Sequence, residues 1–261
     1  MMTDLEGVAG VVTFDDHTYA TGKYYENSRS LLTGEINAAI DGMLDAGVDE
    51  VIVRDGHGSG GIIFEELHPA AKIIHGATWG LRDVIYENIV KTCDVGIMIG
   101  QHAMAGTADG NLNHTQNSRE ITEYRLNDKP IGEIAQFALG IGVFGLPMIY
   151  LSGDTAACRE AEELISGVST TSVKDELGRN AAMCLSLQAA RAKIRTDIAV
   201  AIKKYEEHPM LPLAWEGPYT MQVTCTNSSA ADARAFANNR QKNSDLSFQV
   251  KSDNVFDVLY G

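Results

Sequence analysis

Three observations predict an α/β fold, with a mostly parallel central sheet flanked by helices in an α/β/α arrangement and a smaller α+β C-terminal subdomain. Apolar runs of strand length alternate with helical periodicities along most of the chain, the sequence form of βαβ units. Potential metal ligands fall just beyond several of those runs, where the carboxyl ends of parallel strands share one rim. The most linker-like stretch, around His208-Pro209 and Leu211-Pro212, comes late, and it divides an α/β domain over 1–207 from a smaller subdomain over 208–261.

Each element has its own signal. Only Met1, Met2 and Thr3 precede the first candidate ligand, Asp4, so either the chain starts late or the first strand is short, and a weakly held first strand would loosen Asp4 and Glu6. A helix over 28–46 follows from Leu31, Leu32, Ile36, Ala39, Ile40, Met43 and Leu44 at helical spacing, with Ser28 or Ser30 as cap and Gly47 as stop. Strand 50–55 comes at once, then strand 71–76, a helix over 81–91 and strand 95–100. A hairpin over 123–133 turns at Asn127-Asp128, and a helix starts at Glu133. The uncharged run 134–151 is long enough to suggest a membrane span, but Gly140, Gly142, Gly145 and Pro147 divide it into a helix and a buried strand over 148–154. Asp154 caps a helix over 154–165. A long helix is expected over about 179–205, and beyond the linker come strand 219–227, helix 229–239 and strand 245–252. No internal repeat or low-complexity segment is visible.

Composition narrows the function classes. The chain has 261 residues, 35 acidic against 21 basic, and a net charge of -14. Such a surface repels phosphate backbones and anionic lipid, so neither nucleic acid nor membrane is an expected partner. Cys93, Cys158, Cys184 and Cys225 are scattered without a CxxC pair, which suits reduced thiols. The start MMTDLEG has no basic segment followed by an apolar one, so a cytoplasmic protein is expected.

The candidate ligands are Asp4 and Glu6 in DLEG, His57 in DGHG, His102 in GQHA and Glu133 in NDKPIGE, with His114 in the polar loop NLNHTQNS. Taken singly, an acid beside glycine is an ordinary turn residue, and a histidine at a strand end is more often structural. Their joint placement, at three successive strand ends, argues for function. Two imidazoles and three carboxylates exceed what one zinc takes and suit a two-metal hydrolytic centre. Asp55 could orient an imidazole or close a turn. His17, His68, His75 and His208 lack this placement and are assigned to structure.

Gly56, Gly58 and Gly61 match G-x-G-x-x-G after a strand and open a second reading, a nucleotide- or metal-binding module without catalysis. A histidine inside the motif and the short, proline-ended stretch after it weigh against that reading. A dinuclear amidohydrolase or phosphoester hydrolase is a third reading, though strong basic support for phosphate is lacking near the ligands.

In order and approximate spacing, D-L-E-G, D-G-H-G, G-Q-H-A, N-H-T and N-D-K-P-I-G-E resemble the DppA-type D-aminopeptidases, a family of dinuclear zinc metallopeptidases. The resemblance extends through LHPAAKII, LSGDTAACREAEELI and AAMCLS. It implies two zinc ions per chain bridged by Asp4, one completed by Glu6 and His102 and the other by His57 and Glu133. His114 matches the family's catalytic histidine, which implies a proton-transfer role. It further implies an aminopeptidase acting on short peptides with an N-terminal D-residue, in a ring-forming homo-oligomer such as a decamer. The family pattern has a fuller first strand and a longer closing helix than this sequence offers.

Overall fold

The computed structural model describes residues 1–76, 82–237 and 240–259. The central sheet is built from β1 (Met2–Thr3), β2 (Val51–Asp55), β3 (Ala71–Ile74), β4 (Gly96–Gln101), β7 (Met148–Asp154), β8 (Ser169–Gly178) and β9 (Ala181–Cys184). A second sheet comprises β5 (Ile121–Leu126), β6 (Lys129–Pro130), β10 (Tyr219–Cys225), β11 (Gln241–Lys242) and β12 (Ser247–Ser252). The helices are α1 (Tyr25–Asp45), α2 (Arg82–Asn88), α3 (Glu133–Gly142), α4 (Thr155–Leu164), α5 (Leu187–Glu207), α6 (Ser228–Ala237) and α7 (Val255–Val258).

The central sheet runs β3-β2-β1-β4-β7-β8-β9, parallel except for β9. The chain moves outward from β1 through β2 and β3, then returns to place β4 on β1's other side. That reversal makes the carboxyl ends of β1 and β4 the crevice where an open α/β sheet holds its ligands. β4 and β7 are buried at every residue, as central parallel strands covered on both faces must be. One core packs α1 and α5 on one sheet face, and a second packs α3 and α4 on the other. The third lies between α3, α6, α7 and the antiparallel sheet β11-β12-β10-β5-β6. Because α3 contributes to two cores, it is buried almost all round, which accounts for the uncharged run in the sequence.

The second sheet draws on residues 121–130 as well as 219–252, so its strands lie on both sides of the expected division at 208. Asn127 and Asp128 have φ of 48° and 63°, the left-handed pair that a two-residue type I′ hairpin requires.

The structure answers one open question and corrects two expectations. First, β1 is short but firmly held. It lies between β2 and β4, Arg54 N donates to Met1 O at 2.8 Å, and Asp4 N donates to Ile99 O at 2.9 Å. Second, α1 begins at Tyr25, and Ser28 is inside its first turn, donating to Tyr24 O at 3.0 Å rather than capping. Third, the helix expected from 179 starts at Leu187, where Ser186 Oγ accepts from Ala189 N at 3.3 Å. The preceding Ala181–Cys184 pairs with β8 as an antiparallel edge strand, a non-local contact that overrides the helix preference of Ala and Met. The β-branched Thr170, Thr171 and Val173 of β8 fit a pleated strand. Of the helices expected over 81–91 and 229–239, Leu81 and residues 238–239 lie outside the described residues. No helix among the described residues is long and apolar enough to cross a membrane, and the four cysteines are free thiols.

Candidate metal centre

All six predicted site residues meet at the carboxyl rim of the sheet. Asp4 follows β1, His57 follows β2, His102 follows β4, and Glu133 is the first residue of α3. Ligand atoms of Asp4, Glu6 and His57 lie within 4.8 Å of one another, as do those of Asp4, His102 and Glu133, and those of Glu6, His102 and His114.

Asp4 joins two halves. Its Oδ1 is 3.3 Å from His57 Nδ1, and Glu6 Oε2 is also 3.3 Å from that nitrogen. On the other side Asp4 Oδ2 is 3.1 Å from His102 Nε2, with Glu133 Oε1 at 3.6 Å. The resemblance implies Glu6 with His102 and His57 with Glu133; the distances put Glu6 beside His57 and Glu133 beside His102, and Glu6 also comes within reach of His102 and His114. The reason is topological: β1 lies between β2 and β4, so one carboxylate oxygen faces the histidine of each neighbour.

Each imidazole has one nitrogen fixed by a main-chain carbonyl. His57 Nε2 lies 2.8 Å from Thr18 O, His102 Nδ1 2.9 Å from Ala103 O, and His114 Nδ1 2.9 Å from Leu112 O. A carbonyl only accepts, so each of these nitrogens carries a proton, and the opposite nitrogen of His57 and of His102 is the one turned toward the carboxylates. Thr18 ends a five-residue π-helical turn, Phe14–Thr18, a rare geometry that recurs at functional sites. The same turn sets the Phe14 ring edge-on to His114 at 5.4 Å.

The loop bearing His114 is strained. Leu112 and Gln116 have φ of 57° and 62°, a region that non-glycine residues rarely occupy. Gln116 N donates to Glu133 Oε1 at 2.7 Å, which holds the strained turn against one ligand.

Close backbone approach explains a glycine in DLEG. A Cβ on Gly7 would lie 2.1 Å from Gln101 O, so only glycine lets the loop after β1 pack on the end of β4.

Asp4, Glu6 and His102 are buried. Burial disfavours the His57 cation, but Glu6 and Asp4 outweigh it and raise the imidazole well above its ordinary range. His102 is likewise disfavoured as a cation by burial and raised by Asp4 and Glu133. Burial pushes the Glu6 carboxyl up, yet His57, with His114 and His102, holds it well below the usual carboxylate range. His114 is lowered by burial and by the charge on His102, which keeps it neutral.

The donor set fits a metal pair. Glu6 Oε2 and His102 Nε2 are buried without a directed hydrogen bond. Groups of this kind are costly unless a further partner satisfies them. Three carboxylates with two or three imidazoles, in three overlapping clusters of which two share Asp4, match the oxygen and nitrogen preference of zinc.

The remaining candidates are elsewhere. Asp55 closes a turn by accepting from Gly61 N at 2.9 Å and Ile62 N at 3.3 Å, and the carbonyl of Thr18 orients His57 instead. The glycine loop leads only to a short 3-10 turn, Phe64–Glu66, and then to β3, so it lacks the helix that a pyrophosphate-binding fingerprint requires. His17 bonds Thr13 Oγ1 at 2.7 Å, His68 lies 3.6 Å from Asp41, and His208 is exposed.

Two buried residues beside the site, Lys174 and Asn111, had no signal in the sequence. A lysine before Asp175 and Glu176 reads as a solvated strand face.

Comparison with known proteins gives concordant results. The profile of the family described as D-aminopeptidase (Peptidase_M55) matches residues 1–260. The chain is 33% identical over 215 residues to a D-aminopeptidase of Bacillus subtilis (strain 168), covering 81% of this chain and 76% of the relative. It is also similar to a solved structure, the Zn-dependent D-aminopeptidase DppA from Bacillus subtilis, described as a self-compartmentalizing protease. The TM-score is 0.90 at 26% identity, over 99% of this chain and 93% of that one.

Proposed function

This chain belongs to the D-aminopeptidase family, and from that premise we propose that it is a zinc-dependent aminopeptidase releasing an N-terminal D-residue from short peptides. The observation that carries this reading is the Asp4 carboxylate, whose two oxygens face different imidazoles, each fixed by a backbone carbonyl on its other nitrogen.

Asp4, Glu6 and His57 would hold one zinc, and Asp4, His102 and Glu133 the other. Zinc ions bound there acidify water and polarise a peptide carbonyl. His114 supplies the proton path: Leu112 O fixes Nδ1, which leaves Nε2 to accept a proton and return it to the leaving amine. Its lowered pKa keeps it in the accepting form at neutral pH. The D-preference rests on family membership.

Assembly as a homo-oligomer is supported by the description of the DppA structure as self-compartmentalizing, and a ring-based decamer is the specific form proposed. The four free thiols support a cytoplasmic setting.

The test is hydrolysis of matched D- and L-alanyl amides with and without chelator. Chelator-sensitive release that favours the D-substrate supports the proposal. Release that chelator leaves untouched, or a preference for the L-substrate, contradicts it.

A further inference from the structure

Lys174 lies in β8 and is 2% exposed. Its ammonium meets three uncharged oxygens: the carbonyls of Glu6 and Val11, each at 2.5 Å, and Asn111 Oδ1 at 2.9 Å. Those contacts use all three of its N–H donors. A dry ammonium with neutral partners offsets its lost hydration only in part. Stability alone is therefore a poor reason for this arrangement.

The geometry of its partners supplies a better one. Glu6 and Val11 span most of the loop between Asp4 and Val12, which presents both acidic ligands of the first half-site. Asn111 opens the strained turn that delivers His114, and its amide nitrogen lies 3.4 Å from Val12 O and from Arg179 O. From the opposite side, Glu35 Oε1 accepts from Ala9 N at 3.0 Å. The loop is thus gripped between α1 and β8, and Lys174 joins it to the His114 turn.

We propose that Lys174 is a positioning residue for the metal centre: by holding the Glu6 main chain, it keeps the Glu6 carboxylate with Asp4 Oδ1 and His57. This inference rests on the metal-centre reading above. The carbonyl it grips belongs to a ligand of one half only. Its loss therefore weakens the ion held by Asp4, Glu6 and His57, whereas His102 and Glu133 are carried by β4 and α3 and stay in place.

The test is zinc titration of the metal-free protein against a competing chelator, at a temperature where circular dichroism shows each variant folded. Lys174→Met keeps the chain length and removes the ammonium. Wild-type protein is expected to bind two zinc ions. In Lys174→Met one of them weakens about tenfold or more, the usual scale for removing a group that orients a ligand, and it is the same step that Glu6→Gln weakens. Equal weakening of both ions, or of neither, overturns the positioning role. A wild-type protein that binds no zinc overturns the metal-centre reading instead. Should Lys174→Met fail to fold, Asn111→Ala removes one of the three oxygens and leaves the ammonium on the other two. It is expected to weaken the same ion by a smaller factor, and unchanged binding in that variant overturns the proposal.

Discussion

His102 and His114 stack with ring centroids 3.9 Å apart and 18° between their planes. The two rings nevertheless have different duties. His102 Nε2 faces two carboxylates, while His114 is adjacent and neutral.

His114→Ala should therefore keep both zinc ions and lose turnover, by roughly 10²–10⁴-fold in kcat if its role is proton transfer. His102→Ala should lose zinc. Metal analysis beside steady-state kinetics checks both, and equal zinc loss in the two variants would remove the role given to His114.

The division into halves makes a second prediction. Glu6→Gln and His57→Ala should weaken one and the same zinc-binding step, and Glu133→Gln the step that His102→Ala weakens. Stepwise zinc titration of the single and paired variants reads this directly. If Glu6→Gln instead matched His102→Ala, the grouping implied by family resemblance would hold and the one proposed from these distances would not.

Gly7→Ala should disturb the site without touching a ligand. The added Cβ meets the Gln101 backbone at 2.1 Å from its oxygen and 2.6 Å from its nitrogen, so the loop after β1 must move. A loss of about 1–3 kcal/mol in unfolding free energy is expected, together with weaker zinc binding. Denaturant unfolding that leaves both unchanged would show that the loop has room the structure does not indicate.

Glu35 predicts a pH effect. Burial raises its carboxyl to about 7 from an ordinary 4.5, against the opposing hydrogen bond from Ala9 and the charge of Lys174. The folded protein thus holds a proton that the unfolded chain releases earlier. The stabilisation is complete below about pH 4.5 and is lost as pH rises to about 7. Glu35→Gln keeps an acceptor for Ala9 N and has nothing to titrate. Between those pH values the stability of wild type relative to the variant should fall by about 3 kcal/mol, measured on metal-free protein. Parallel stability profiles for the two proteins would contradict the raised Glu35.

The parts of the fold that were legible in sequence are those with local causes. β4 and β7 announce themselves as apolar runs because both their faces are covered, β2 as a shorter run with only alternate residues buried, and the rim at their carboxyl ends collects polar residues such as His57 and His102. The β8–β9 hairpin was hidden because Ala181, Ala182 and Met183 favour helix locally, and only pairing with β8 makes them a strand. Lys174 was hidden for a related reason, since its partners Glu6 and Val11 are 168 and 163 residues away. The candidate site residues that meet at the rim were legible as a set, but which of them lie nearest one another depends on which way each Asp4 oxygen faces. That is fixed by the position of β1 between β2 and β4, which no local pattern records.

The most direct test of the bridged two-metal centre is an anomalous difference map recorded at the zinc edge from crystals of the protein. The prediction is two peaks flanking Asp4, one among Asp4 Oδ1, Glu6 and His57 and the other among Asp4 Oδ2, His102 and Glu133. A single peak, or two peaks that do not share Asp4, would contradict it.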